Sequence, residues 1–158
     1  MMISFQYEKR QVLQALRYHF ISKPEIKAMI ILVNVFAIAS VLLYSFGKVN
    51  ALAFLVGSTL WIVLMISFWF VLPAAVYKRS ETFKHAFSMD FSDNSFTLQH
   101  EHGSRSWPWK DLSHFIESPH FFHLYFDPRS FLLVPKSGFS DRDEVSDMRK
   151  LLREKIRR

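Results

Sequence analysis

The chain contains no cysteine. That excludes a disulfide scaffold, a thiolate zinc site, an iron–sulfur cluster and a cysteine nucleophile in one step. Four glycines and six prolines among 158 residues are too few for a fibrous or low-complexity chain. A composition that is half hydrophobic and 16% aromatic is too apolar for disorder. The most telling scarcity is local: from Ala28 to Tyr77 the only formal charge is Lys48. A mean hydropathy of +0.08 therefore averages two different materials joined end to end.

Ala28–Gly47 is uncharged throughout, and twenty helical residues span about 30 Å, the thickness of a bilayer core. Val49–Tyr77 is a second uncharged run, long enough to cross with tilt or to project beyond the hydrocarbon. Apolar residues surround both segments without a 3.6-residue stripe, as a lipid-facing helix requires. Gly47-Lys48-Val49-Asn50 is the only polar break, so the two spans form a tight antiparallel hairpin. Lys9, Arg10, Arg17, Lys23 and Lys27 precede the first span, and Lys78, Arg79 and Lys84 follow the second. The positive-inside rule places both termini in the cytoplasm, in an inner-membrane, multi-pass arrangement. The first apolar run starts too late and is too long for a cleaved signal peptide. No Asp, Glu, His or Arg lies inside the spans, which argues against a proton or ion pathway. The hairpin reads as an anchor.

Three regions follow: 1–27, 28–77 and 78–158. In the first, Ile3, Phe5 and Tyr7 alternate with polar residues as a short strand, and Val12, Leu13, Leu16 and Phe20 form the apolar side of a basic helix closed by Lys23-Pro24. That helix can lie on the headgroups or pack on the downstream domain. In the third, alternation over Phe87–Phe91, Phe96–Gln99, Ser104–Trp107, Phe115–Glu117, Phe121–Phe126 and Ser130–Val134 predicts five or six short antiparallel strands. Asp93-Asn94, His102-Gly103 and Asp127-Pro128-Arg129 mark turns, and Pro108–Leu112 a corner. A final amphipathic helix follows, with Ser140 as its N-cap, Asp141, Asp143 and Glu144 in its first turn, and Arg153, Lys155, Arg157 and Arg158 at its basic end.

Phe87, Phe91 and Phe96, then Trp109-x-Asp111-Leu112, the pairs Phe121-Phe122 and Leu124-Tyr125, and Leu133-Val134-Pro135-Lys136 with Gly138-Phe139-Ser140 occur in that order. This ordered set resembles the YcxB-like family of small bacterial membrane proteins. The resemblance implies two membrane spans and a C-terminal cytoplasmic domain, and says little about activity. The domain is also similar in layout to pleckstrin-homology-like domains, with a bent antiparallel sheet of about five to seven strands and a C-terminal helix. The expected fold class is a membrane α-helical hairpin plus an α+β cytoplasmic domain.

His100 and His102, at i and i+2, suggest a chelating pair to which His114, His120 or His123 would add ligands, but no carboxylate is placed beside them and surface histidines are the plainer reading. Trp107-Pro108-Trp109 suggests an exposed recognition patch, with Trp109 as a core plug the alternative. Trp107, Trp109, His100 and His102 are thus the candidate interaction residues. No nucleophile–base pair, phosphate-binding glycine loop or H-E-x-x-H motif is found, so no catalytic residue, cofactor or metal is expected. Residues 78–158 hold fourteen basic and twelve acidic side chains, and residues 1–27 five and two. This weighting toward the spans suits anionic lipid better than nucleic acid. The expected function is a non-enzymatic, membrane-anchored interaction or regulatory module acting on a protein, peptide or lipid. The alternatives are an immunity or stress-protection protein acting through the hairpin, and a membrane-bound metalloprotein or enzyme. The sequence sets no oligomeric state.

Overall fold

Alternation of apolar and polar residues makes Met2–Gln6 a strand with one buried face, Ile3 and Phe5 pointing inward. This is β1. The computed structural model describes residues 1–156; Arg157 and Arg158, expected at the basic end of the last helix, lie outside the described residues. The chain divides into two units, one of residues 1–15 with 80–158 and the other of residues 16–79.

In the first unit, β1 pairs antiparallel with β2 (Ala86–Phe91), β2 with β3 (Ser95–His100) and β3 with β4 (Gly103–Pro108). The register Met89↔Leu98 and Phe96↔Trp107 aligns the apolar residues on one face. The opposite face carries hydroxyl pairs, Ser4 with Ser88 at 2.9 Å and Thr97 with Ser106 at 2.7 Å. A second sheet holds β5 (His114–Glu117), β6 (Phe121–Tyr125) and β7 (Phe131–Pro135), again antiparallel. All five residues of β6 are buried. Successive side chains point to opposite faces, so β6 is covered on both.

The seven strands form two sheets, of four and three strands, and not the single bent sheet expected. The division falls at Pro108 and the single 3-10 turn Trp109–Asp111. Proline has no N–H to extend the ladder, and the turn redirects the chain before β5 begins.

Tyr7 ties the sheets together. Its ring stacks on Phe121 at 6.4 Å, and its hydroxyl donates to the Leu133 carbonyl at 2.6 Å. Burial pushes that phenol well above its ordinary pKa. The last helix, α5, is Arg142–Lys155, with Met148 and Leu152 buried. Its N-cap is Asp141, not the expected Ser140. Asp141 accepts from the Glu144 N–H at 2.8 Å, while Glu144 accepts from the Ser140 N–H at 2.8 Å. The two bonds tie the residue before the cap and the third residue of the helix to the same turn, which sets the helix start one residue later than Ser140.

The helices before it are α1 (Lys9–Ser22), α2 (Pro24–Ser45), α3 (Ala51–Ile66) and α4 (Leu72–Arg79). Pro24 sits in the first turn of α2, where its missing N–H is not needed. In α1, Val12 and Ala15 are buried within the first unit. In the second unit, α2 has no buried residue, nor has α3. Pro24–Ser45 and Ala51–Arg79 are each long and apolar enough to cross a membrane.

The turn between α2 and α3 is built from both ends. The Lys48 N–H reaches the Leu43 carbonyl and the Gly47 N–H that of Tyr44, with Gly47 at φ +66°. This left-handed exit is open to glycine at no steric cost. Asn50 then caps α3, its Oδ1 accepting from the Ala53 N–H at 2.8 Å.

Candidate interaction surface

The edge strand β4 carries one of the four candidate residues, Trp107, and is flanked in the chain by His102 and Trp109. Its residues Gly103–Ser106 are exposed, and among the described residues β3 is its only neighbour in the sheet. Trp107 is half-buried, stacked on Phe96 at 5.5 Å and set against Phe126 at 5.6 Å. The Arg105 guanidinium lies 5.2 Å from the Trp107 ring centre, a cation–π contact that holds two recognition-prone side chains side by side. Arg105 and Trp107 share the face of β4 that pairs with Leu98 and Phe96. The patch is thus the rim of the apolar face, continuing past the core to the open edge.

Trp109 lies elsewhere. It is 4% exposed, its ring stacks on Phe91 at 6.2 Å and lies 5.1 Å from Phe96. Its indole N–H donates to the Ser92 carbonyl at 2.9 Å. Burial with a satisfied N–H makes it a core residue with nothing to offer a partner.

His100 closes β3 and His102 stands in the turn to β4, their rings 5.9 Å apart. The His102 backbone N–H donates to His100 Nδ1 at 3.1 Å, so that nitrogen is occupied as an acceptor. His85 approaches His102 at 6.4 Å. The other histidines raised by the sequence do not converge here: His114 stacks on Tyr125 at 4.5 Å, and His123 is buried with Nε2 hydrogen-bonded to Ser118 Oγ at 2.9 Å. Among the described residues no group of three metal-ligating side chains is assembled.

An ion-pair cluster escaped sequence reasoning. Glu117 of β5 accepts from Arg149 Nε and Nη2 of α5 at 2.8 and 2.7 Å, and from Lys136 Nζ at 2.7 Å. The two-pronged Arg149 contact is the main cause of a Glu117 pKa held down to about 2, with Lys136 adding to it. The Lys136 ammonium also lies 5.2 Å from the Phe122 ring centre. The cluster pins α5 to the second sheet, and 32 residues separate Glu117 from Arg149; no local pattern announces such a pair.

The stretch from the end of β2 to Leu152 thus contains the Trp109 plug, the buried β6 and the Glu117 cluster. Residues 91–152 match the model of the YcxB-like protein family. The match takes in β3 to β7 and most of α5, and both helices able to span a membrane lie outside it. No curated protein and no solved structure matches the chain. The YcxB-like segment holds Trp107, Trp109, His100 and His102.

Proposed function

We propose that the chain is a membrane-anchored, non-enzymatic interaction module. Its hairpin crosses the inner membrane twice with both termini in the cytoplasm, and its sheet domain holds a protein or peptide there. The observation that carries this reading is the pair Pro24–Ser45 and Ala51–Arg79: long, apolar, and with no residue of α2 or α3 buried in the fold. In water such surface would associate indiscriminately; in a bilayer it is solvated. The flanking lysines and arginines supply the cytoplasmic charge.

The four-plus-three strand division followed by one C-terminal helix supports a pleckstrin-homology-like layout for the domain. Its binding surface is the open edge of β4, where an extended peptide would add as a fifth strand beside β4, with Trp107 and Arg105 as side-chain contacts. Confinement at the membrane raises the effective concentration of domain and partner.

The test is a photo-crosslinking amino acid placed at Ser104 or Ser106 in the full chain in membranes, with Trp107→Ala as the companion variant. A discrete adduct that persists when residues 28–77 are replaced by an unrelated two-span hairpin supports an edge-binding module. Loss of function with that swap, and no adduct, points instead to a protein acting through its hairpin.

A further inference from the structure

Polar side chains within an apolar helix pair must find partners inside the protein, because hydrocarbon offers none. Most of those in the hairpin do. The hydroxyls of Ser45, Ser58, Thr59 and Ser67 each donate to the carbonyl four residues earlier, at 2.8 to 2.9 Å. Two groups do not. Asn34 gives one amide N–H to the Ile30 carbonyl at 2.7 Å. Its second N–H and its carbonyl oxygen have no partner among the described residues. Trp61 Nε1 is covered by protein and has no acceptor among the described residues.

Both residues line one groove on the flank of the hairpin, of about 610 Å³, with Ala37, Ile38, Ser40 and Gly57. The helices close tightly beside it: a Cβ on Gly57 would stand 3.7 Å from Ser40 Oγ. Tyr44 and Phe54 stack at 4.6 Å near the turn, so level residues on the two helices have numbers summing to about 98. Asn34 and Trp61 then lie within roughly 4 Å of the same height along the hairpin. Asn34 is about one turn from the middle of the run Ala28–Gly47, far from either headgroup layer.

We propose that this groove is the contact surface for a second copy of the chain, and that Asn34 pairs with Asn34 across a two-fold axis. The inference rests on the membrane placement proposed above. A carboxamide carries both donors and an acceptor, so two of them related by a two-fold exchange a reciprocal pair of N–H···O bonds. Each Asn34 does so with the groups it has left and keeps its bond to Ile30. The contact is self-complementary, as a two-fold interface requires. A lipid chain in the same groove satisfies neither group. Small residues and a shared polar pair are the means by which helices associate where no hydrophobic force drives them together.

The absence of cysteine makes the test clean. Single-cysteine chains Ile38→Cys, beside Asn34 in the groove, and Leu32→Cys, on the opposite side of α2, are oxidised in native membranes. The account expects disulfide-linked dimers from Ile38→Cys and few from Leu32→Cys. Adding Asn34→Leu to Ile38→Cys should lower the dimer yield about tenfold, and Asn34→Gln should preserve it. Equal crosslinking at both positions, a yield unchanged by Asn34→Leu, or an adduct with a different protein in place of the dimer overturns the proposal. Alkaline carbonate extraction separates the two failures. A chain that stays in the membrane but never dimerises refutes self-association alone, and a chain that is washed out refutes the membrane placement.

Discussion

Glu117 shows how one side chain carries the acid sensitivity of the sheet unit. Its pKa falls from an ordinary 4.5 to about 2, so the folded state gives up its proton more readily than the unfolded chain. The stability this confers is complete above pH 4.5 and is lost as pH falls toward 2. Glu117 is partly open to solvent, so Glu117→Gln is expected to cost about 1 kcal/mol, less than a fully buried charged hydrogen bond because solvent screens the pair. Chemical denaturation of wild type and variant at pH 7 and pH 3 checks this, and the gap between the two should narrow at the lower pH. His19 works in a different window. It is 4% exposed, and burial, with Lys23 second, lowers its pKa from 6.5 to about 4. The unfolded chain therefore takes up a proton that the fold resists, and stability falls as pH drops from 6.5 to 4. His19→Gln should flatten the melting temperature over that interval while leaving the Glu117 window in place.

At the scale of elements, the second long helix has a defined weak point. Between α3 and α4 the residues Ser67–Val71 form a π-helical turn, and Pro73 follows. Proline cannot donate to the Trp69 carbonyl four residues before it. Arg17 of α1 does so instead, Nε to oxygen at 2.9 Å, with its guanidinium 5.2 Å from the Phe70 ring centre and 5.8 Å from that of Trp69. The clasp and the break are one feature, so they should be energetically coupled. Arg17→Gln is expected to cost about 1 kcal/mol alone and clearly less when Pro73→Ala has restored a donor to Trp69. A double-mutant cycle on thermal stability in detergent measures the difference. Elements such as α2, β1 and the Trp109 turn were legible in the sequence because their signals are local: an uncharged run, a period of two, a proline beside a tryptophan. The Arg17 clasp and the Glu117–Arg149 pair were not, because each joins residues distant along the chain, and the π-helical turn was not, because no residue pattern marks it. The same limit applies at the candidate surface. The sequence offered the core reading for Trp109 but left it beside the surface reading for both tryptophans; the register Phe96↔Trp107 and the Ser92 contact place Trp107 at the rim and Trp109 in the core.

For the whole molecule, the scarcity of charge between Ala28 and Tyr77 and the paired sheets have a common consequence. The sheet unit has its own apolar core, drawn from both sheets and α5, while α2 and α3 keep their apolar surface outward. A chain partitioned in this way suits two solvents at once. The single measurement closest to the central claim uses Lys48→Cys and Ser140→Cys in separate, otherwise cysteine-free chains. Intact spheroplasts are treated with a membrane-impermeant thiol reagent. The account predicts labelling of Lys48→Cys at the outer turn, and labelling of Ser140→Cys only after the membrane is opened. Labelling of Ser140→Cys in intact spheroplasts, or protection of Lys48→Cys there, would contradict it.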